Sequence, residues 1–410
     1  MSLIDLLADE DCWNDFYEYK TSLACPKSFQ KELRSFIDSR AYLPVCNTIL
    51  TDKRFALPKK SVISKLSTGK KRTVYTYPYA ENMVLKLLTY LMLRKYDGLY
   101  SDNLFSFRPG LSAKDAIRKL RKTRNIASLY SYKVDIHNYF NSVDIPLLLP
   151  VLQAAVGDDK PLFEFLKNLL TEPYVIENGK IITEDKGIMA GTPISSFLAN
   201  LYLRELDAYF ADNGIIYARY SDDIILFAPT STDVRRYAEY IKEFLGMRRL
   251  TVNPDKECFS NPSDGWTFLG FLYKGGVIDI APATVKKLKQ KMRRKTNALQ
   301  RWRKRNDVDG ERAAAAFIRI FNRKLLESPV DNELTWSYWF FSVINTTQSL
   351  HAIDTYAQDC IRYLISGRHT KSRYKVRYDD IKKLGYKNLV HSYYDFEKEK
   401  ESEKIKDRRD

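Results

Sequence analysis

The chain has 410 residues, of which 44% are hydrophobic and 29% are charged, and 67 Lys and Arg residues stand against 51 Asp and Glu. This composition excludes a disordered or collagen-like chain, and the length predicts roughly two to three domains. The net charge of +16 indicates a polyanionic partner, for which nucleic acid is the first candidate.

Several protein classes are excluded by what the sequence lacks. No run of about 18 apolar residues is present, so we expect no membrane span. The five cysteines are scattered and form no Cys-x-x-Cys pair, which excludes a zinc knuckle and a disulfide framework. Acidic residues near Met1 argue against a signal peptide, so we expect a cytoplasmic protein.

The first 280 residues alternate between strand and helix patterns. A β-hairpin is predicted over 61–77, because Thr68-Gly69-Lys70 lies between β-forming residues, and another around Asn178-Gly179. Apolar spacing predicts helices over 81–96, 112–122, 146–170, 195–210 and 232–245, and strands over 129–136, 215–227 and 267–280. After Pro282 the pattern becomes helical and basic. This order predicts an α+β core with an antiparallel sheet, followed by an all-helical part.

The segment 215–227 places Ser221-Asp222-Asp223 between two apolar, β-forming runs. Two adjacent carboxylates repel each other and are costly to bury without a counter-charge. A divalent metal ion would make the pair favourable. A solvated hairpin turn is the alternative explanation.

A further carboxylate, Asp135, ends the apolar strand pattern that begins at Leu129. Alone, an Asp at this place is typical of a helix N-cap. Together with Asp222 it could hold two Mg²⁺ ions about 3.5–4 Å apart, the arrangement that supports in-line phosphoryl displacement. Mg²⁺ prefers hard oxygen ligands and shares its coordination shell with substrate phosphates, and Mn²⁺ is the alternative ion.

From about residue 55 to 270, the chain resembles a bacterial reverse transcriptase in the order of its motifs. The matching segments are Phe105-Ser-Phe-Arg-Pro-Gly110, Asp135 to Phe140, Gly187 to Asn200, and Tyr220-Ser-Asp-Asp223, the last being the YxDD motif of that family. The resemblance implies an α+β right-hand polymerase. Its fingers, with part of the palm, would cover 1–125, its palm 126–280, and its basic α-helical thumb with a C-terminal extension 281–410.

The same resemblance implies roles for individual residues. Asp135, Asp222 and Asp223 would be catalytic metal ligands, joined by the backbone carbonyl of Ile136. The residues implied in nucleotide binding are Lys65, Arg72, Arg108, Tyr139, Gly191 and Lys256. The primer grip would comprise Phe268, Leu269 and Gly270.

Two of these roles are specific. Tyr139 would be the steric gate that excludes a ribose 2′-OH, and Lys256 would assist proton transfer to pyrophosphate. From the residues alone, a core position for Tyr139 and a solvated hairpin for Lys65 and Arg72 remain the alternatives. Ala190 stands where the family usually has Gln, a departure that affects nucleotide selection and removes no metal ligand.

Residues 286–305 contain eleven Lys and Arg and no acidic residue, so they carry +11 of the net +16. A helix of this charge repels itself, and a polyanion relieves the repulsion. We therefore expect a thumb helix along the primer–template backbone, with a solvated helix as the alternative. The residues expected to contact nucleic acid are Lys286, Lys287, Lys289, Arg293, Arg294, Arg301 and Arg303.

The predicted function is an RNA-directed DNA polymerase that uses dNTPs and a primer to copy a structured non-coding RNA into cDNA, in antiviral defence. No RNase H, endonuclease or integrase region is expected after the thumb. The elements Leu384-Gly385-Tyr386 and Ser392-Tyr393-Tyr394 resemble the C-terminal region of standalone antiviral reverse transcriptases.

Three alternatives stay open. A retron-type or group II intron-type reverse transcriptase shares the palm motifs. An RNA-dependent RNA polymerase shares the metal site, although that family carries a second Asp where Phe140 stands. A non-catalytic, maturase-like RNA-binding protein is the third.

Overall fold

The computed structural model describes residues 1–23, 25–51, 55–64, 71–327 and 336–406. The chain forms two compact units, Met1–Asp264 and Gly265–Asp410. Lys65 and the turn of the first predicted hairpin lie outside the described residues. Within the described residues, no helix combines the length and the apolar character that crossing a bilayer requires.

Helices occupy much of the first unit. Side-chain caps start several of them, because Asp9, Asp144 and Asp159 accept hydrogen bonds from backbone N–H groups that have no partner within the helix. The predicted helix over 195–210 is two helices, separated at Leu203. The helices are α1 (Glu10–Ser22), α2 (Lys27–Asp38), α3 (Leu43–Thr51), α4 (Tyr79–Lys95), α5 (Ala113–Lys122), α6 (Tyr139–Ser142), α7 (Ile145–Val156), α8 (Lys160–Thr171), α9 (Ser195–Tyr202), α10 (Arg204–Asp212) and α11 (Ser231–Met247).

The first unit also contains two four-stranded sheets. Its strands are β1 (Lys59–Ser64), β2 (Lys71–Thr76), β3 (Tyr130–Asp135), β4 (Tyr174–Glu177), β5 (Lys180–Thr183), β6 (Ile216–Tyr220), β7 (Asp223–Ala228) and β8 (Cys258–Ser260). One sheet has the order β2-β1-β4-β5. The hairpin β4–β5 forms as predicted, because Asn178 and Gly179 both adopt the positive φ that a two-residue turn of this kind requires.

The other sheet of the first unit has the order β6-β7-β3-β8, and all neighbouring strands are antiparallel. Its strands are apolar, with Val134, Ile224 and Leu226 fully buried. The register of β3 and β7 pairs Asp135 with Asp223. The end of β3 and the β6–β7 turn therefore meet at one edge of this sheet.

The second unit combines a small antiparallel sheet with helices. The sheet has the order β11-β10-β9, formed by β9 (Trp266–Phe268), β10 (Phe271–Lys274) and β11 (Val277–Ile280). The helices are α12 (Pro282–Arg305), α13 (Gly310–Leu325), α14 (Trp336–Phe341), α15 (Gln348–Ser366), α16 (Tyr378–Lys383) and α17 (Leu389–Lys406). The helices and mainly antiparallel sheets confirm the predicted α+β class.

The C-terminal element Leu384-Gly385-Tyr386 connects three helices of the second unit. The buried carboxylate of Asp354 in α15 accepts a hydrogen bond from the Tyr386 hydroxyl at 2.6 Å and from the Leu389 N–H at 3.0 Å. The Asn322 side chain in α13 donates to the Gly385 carbonyl at 2.8 Å. These bonds attach the start of α17 to α15 and α13, so this element has a structural role.

Candidate active site

Three carboxylates lie together at the edge of the β6-β7-β3-β8 sheet. Asp135 ends β3, Asp222 lies in the β6–β7 turn, and Asp223 begins β7. One oxygen from each carboxylate lies within 4.8 Å of the others. Among the residues that the structure describes, this is the one cluster of three or more acidic, His or Cys side chains with the spacing of a metal site.

Backbone hydrogen bonds hold the three carboxylates in this arrangement. The Ile136 N–H donates to the Asp222 carbonyl at 3.0 Å, which ties the turn to the end of β3. The Asn253 N–H donates to the Asp135 carbonyl at 2.7 Å. The turn itself has only two central residues, and Ser221 adopts a φ of 59°. The carboxylates thus project from a constrained backbone.

The electrostatics of the cluster fit a divalent cation. Burial and the neighbouring Asp135 raise the pKa of Asp222, while the charges of Lys256 and Arg72 partly oppose that shift. Burial and Asp222 raise the pKa of Asp223 to about 6. Three crowded carboxylates are unfavourable to ionise together, and a hard dication with oxygen ligands relieves that repulsion. The donor set therefore suits Mg²⁺ or Mn²⁺.

Lys256 lies at the cluster, as the resemblance implied. Its ammonium group forms an ion pair with the Asp135 carboxylate, although half of the Lys256 side chain is exposed. The lysine therefore supplies positive charge to the carboxylate of Asp135. Its part in proton transfer stays a prediction.

The loop around Gly191 packs closely against β2, the strand that carries Arg72. The Tyr75 N–H donates to the Ala190 carbonyl at 2.8 Å. Gly191 has a φ of +101°, and a Cβ atom there would lie 3.1 Å from the Tyr75 carbonyl oxygen. A side chain at Gly191 would push β2 away, and with it the exposed Arg72, whose charge acts on Asp222.

The structure corrects the role expected of Tyr139. This ring is only 2% exposed, and its hydroxyl donates to the Ala199 carbonyl at 2.5 Å. Phe140 is half-buried, and its ring lies 6.5 Å from the exposed ring of Phe107, edge to face. Consecutive helical residues point about 100° apart, so burying Tyr139 turns Phe140 towards another side. Phe140 is therefore the better candidate for a gate.

The structure places Arg108, which was expected to bind nucleotide, in contact with other groups of the protein. Its guanidinium donates to both carboxylate oxygens of Asp97, at 2.8 and 3.0 Å, and to the Ser101 carbonyl at 2.8 Å. Its side chain is 8% exposed. The sequence reveals neither partner, because the pairing depends on how the chain folds back on itself.

The basic helix α12 presents most of its expected contact residues to solvent. Those exposed are Lys286, Lys287, Arg293, Arg294 and Arg301, while Lys289 is half-buried beside the Tyr356 ring. Arg303 differs, because it donates to the Leu364 carbonyl at 2.9 Å near the end of α15. Arg303 thus has a structural contact, and its nucleic-acid contact stays a prediction.

The proposed primer-grip residues form the β9–β10 turn. Leu269 and Gly270 both have positive φ and are half-buried. Phe268 is fully buried in the second unit. Its side chain therefore belongs to the core, and the primer-grip role of this turn stays a prediction.

Four buried polar residues near the β6–β7 turn could not be identified as functional from the sequence. They are Ser106, Asn200, Asp207 and Arg219. A signal was present for two of them. Arg219 interrupts an apolar strand, and Asp207 lies among the apolar residues of α10. A charge in an apolar run requires a buried partner, so each should have suggested the other.

Comparisons with known proteins show what the chain resembles. The family model for reverse transcriptase (RNA-dependent DNA polymerase) matches residues 57–273. Protein YkfC of Escherichia coli strain K12 is 23% identical over 253 residues, covering 52% of this chain and 66% of that protein. The retron Ec86 reverse transcriptase of Escherichia coli is 25% identical over 218 residues, covering 52% of this chain and 63% of that protein.

The chain thus spans just under two thirds of either relative's length. A solved apo telomerase from Candida tropicalis aligns with a TM-score of 0.47 and 12% identity, over 82% of this chain and 70% of that chain.

Proposed function

The chain belongs to the reverse transcriptase family, and from that premise we propose that it is an RNA-directed DNA polymerase. One observation carries the proposal: Asp135, Asp222 and Asp223 bring their carboxylate oxygens within 4.8 Å of one another. In this proposal they hold two Mg²⁺ ions, with the Ile136 carbonyl as a further ligand. Such ions stabilise the attacking and leaving oxygens in phosphoryl transfer.

The residues around the cluster receive complementary roles. Arg72 is exposed and electrostatically coupled to Asp222, so we assign it to the phosphates of an incoming dNTP. Phe140 replaces Tyr139 as the proposed ring that contacts the sugar of the nucleotide. Gly191, which has no side chain, lets the loop that contains it pack closely against β2. Lys65 lies outside the described residues, and its triphosphate contact remains part of the proposal.

Lys256 is proposed as the proton donor to the leaving pyrophosphate. The Lys256 ammonium group pairs with the Asp135 carboxylate, which would also hold a cation. Lys256 would leave Asp135 when that carboxylate serves as a metal ligand, and its ammonium group could then donate a proton to the departing phosphates. Its half-exposed position gives the side chain room to turn.

The nucleic acid is proposed to be an RNA template with a DNA primer or product. The exposed Lys and Arg residues of α12 support this. Neutralisation of nucleic-acid phosphates by Lys and Arg supplies most of the free energy of non-specific binding to nucleic acid. The three-part division into 1–125, 126–280 and 281–410 as fingers and part of the palm, palm, and thumb with extension belongs to this proposal.

The test is primer extension on an RNA template with Mg²⁺ and dNTPs. Asp222→Asn and Asp135→Asn should each abolish synthesis while RNA binding is retained. Asp212→Asn, at an exposed acidic residue at the end of α10, is the matched control and should behave as wild type. Undiminished synthesis by Asp222→Asn would reject the proposed site. Replacing dNTPs by rNTPs tests the RNA polymerase alternative.

The finer proposal is that the template is one structured non-coding RNA and that the cDNA acts in phage defence. The resemblance of the C-terminal elements to antiviral reverse transcriptases supports it. Sequencing the RNA and DNA that co-purify with the chain tests the template, and a random sample of cellular RNA would contradict it. Phage challenge of cells carrying wild type or Asp222→Asn tests the role in defence.

Two alternatives are separated by the same experiments. Similarity to the retron Ec86 enzyme favours a retron-type reaction as the second candidate. The genes that lie beside this one in the genome discriminate that alternative. A maturase-like RNA-binding protein predicts that Asp222→Asn keeps full biological activity.

A further inference from the structure

Buried polar side chains bind the backbone of the β6–β7 turn, which carries Ser221 and Asp222. The Ser221 N–H donates to the Ser106 hydroxyl at 2.8 Å, and the Ser221 carbonyl accepts from Arg219 at 3.3 Å. Ser106 and Arg219 are both fully buried. The residue just before Asp222 is therefore fixed at both of its backbone polar groups.

Arg219 is itself held by a forked ion pair. Its Nε and Nη2 donate to the two carboxylate oxygens of Asp207, at 2.7 and 2.5 Å, and both side chains have no exposed surface. Nη2 also donates to the Asn200 carbonyl at 3.1 Å, and the Tyr217 hydroxyl donates to Asp207 at 3.0 Å. Because the guanidinium is planar and each of its three nitrogens donates a hydrogen bond, its contact with Ser221 is directed.

Asn200 closes the network on its other side. Its amide donates to the Ser106 carbonyl at 2.7 Å, and the Ser106 hydroxyl donates to its side-chain oxygen at 3.1 Å. Ser106 lies on an extended segment that pairs with β6, where the Phe105 N–H donates to the Arg219 carbonyl at 3.0 Å. The start of the Phe105–Gly110 segment therefore contacts both β6 and the β6–β7 turn.

Stability alone is a poor reason for such a network. A buried ion pair often contributes less than well-packed apolar residues of the same volume, because desolvation opposes its Coulomb attraction. Ser221 also holds a left-handed φ of 59°, which is unfavourable for a residue with a side chain. A costly network that fixes a strained turn is typical of a site where geometry matters.

We propose that Ser106, Asn200, Asp207 and Arg219 are positioning residues that set the placement of Asp222 and Asp223 and thereby the affinity for the divalent metal. The inference rests on the metal site of the proposed function. It assigns these four residues no contact with nucleotide or nucleic acid. Their loss should act on metal affinity first, and on DNA synthesis through it.

The first test is Ser106→Ala, which leaves the Ser221 N–H without its acceptor. Mn²⁺ affinity, measured by electron paramagnetic resonance, should fall by roughly fivefold to tenfold, the effect of one lost buried hydrogen bond. The Mg²⁺ concentration for half-maximal primer extension should rise by a similar factor, with most of the rate recovered at saturating Mg²⁺. Thr89→Ala is the control, because Thr89 is a buried hydroxyl in α4 that donates to the Leu85 carbonyl at 2.7 Å.

Arg219→Lys is the second variant. It keeps the positive charge but loses the paired hydrogen bonds to the two carboxylate oxygens of Asp207, so it should also weaken Mn²⁺ binding. If Ser106→Ala does not fold, Ser106→Cys retains the volume with a weaker acceptor. Folded variants whose Mn²⁺ affinity and Mg²⁺ requirement equal those of Thr89→Ala would overturn the inference. That result, with normal wild-type synthesis, leaves the polymerase proposal standing. If the wild-type protein binds Mn²⁺ but synthesises no DNA, the polymerase proposal is rejected. The effect of the four positioning residues on Mn²⁺ affinity can still be measured in that case.

Discussion

Asp135 and Asp223 lie directly opposite each other on the antiparallel strands β3 and β7. Like charges in this register destabilise a sheet, and Asp222 adds a third carboxylate within reach of both. The fold therefore holds an arrangement that is unfavourable on its own and becomes favourable when a divalent cation is bound.

The first prediction concerns stability without metal. The pKa of Asp223 is about 6 in the fold, above its ordinary value of 3.8, so the folded state binds this proton more tightly than the unfolded chain does. Ionising Asp223 therefore destabilises the fold. This loss of folding free energy grows as pH rises from 3.8 to about 6 and is complete at higher pH. In EDTA at about pH 8, Asp223→Asn should raise the Tm, by roughly 1–2 °C for each kcal/mol relieved.

The pH dependence provides the check on that result. Near pH 4, where Asp223 is largely protonated in the folded wild type, the gain in Tm from Asp223→Asn should shrink. Asp212→Asn should show no such dependence. A gain of equal size at both pH values would mean that the stabilisation does not come from the Asp223 charge.

The second prediction concerns metal addition. Mg²⁺ binds the folded state in preference to the unfolded chain, so it should raise the Tm of wild type as its concentration increases. Asp135→Asn and Asp223→Asn should each reduce or remove this rise, because each removes one charged ligand. Thermal melts over an Mg²⁺ series measure the effect. Identical Mg²⁺ shifts in wild type and both variants would place the metal elsewhere.

The third prediction separates Tyr139 from Phe140. Phe140→Ala should increase incorporation of rNTPs relative to dNTPs, because the ring proposed to exclude the 2′-OH is gone. Tyr139→Phe should lower stability by about 1 kcal/mol, through loss of the hydrogen bond to Ala199, and leave sugar selection unchanged. Competition between dNTPs and rNTPs measures selectivity. Unchanged discrimination between dNTPs and rNTPs in Phe140→Ala would reject Phe140 as the gate.

The fourth prediction contrasts two arginines. Arg72→Ala should raise the KM for dNTPs with little change in Tm, since Arg72 is exposed. Arg108→Ala should lower stability by about 1–3 kcal/mol, because Asp97 and the Ser101 carbonyl lose their donors. The folded fraction of Arg108→Ala should keep the wild-type KM. An elevated KM in that fraction would indicate a nucleotide contact after all.

The fifth prediction concerns α12. Replacing Lys286 and Lys287 by Ala should weaken RNA binding at every sequence and reduce the slope of log affinity against log salt by about 2. Arg303→Ala should lower the Tm instead, because the Leu364 carbonyl loses its donor. Binding titrations at several salt concentrations provide the measurement. An unchanged slope in the double variant would show that these two lysines do not contact phosphate.

Local patterns in the sequence were sufficient to predict most strands, the regions of helices α4, α5 and α7 to α12, the Asn178-Gly179 hairpin and the α+β class. They also identified Asp135 and the Asp222-Asp223 pair as a candidate metal site. These inferences succeed because apolar periodicity and turn chemistry act over a few residues. Adjacent carboxylates between apolar strands require a counter-charge in any fold.

The tertiary structure decided which side chains are available for function. Tyr139 and Phe140 are equivalent to a local pattern, and only the packing of Tyr139 under Ala199 leaves Phe140 at the surface of the site. Arg108 and Arg219 are both arginines near a motif, and their carboxylate partners lie 11 and 12 residues earlier, in other segments of the fold. Whether a polar side chain is free or engaged depends on contacts between segments, and these exist only once the chain is folded.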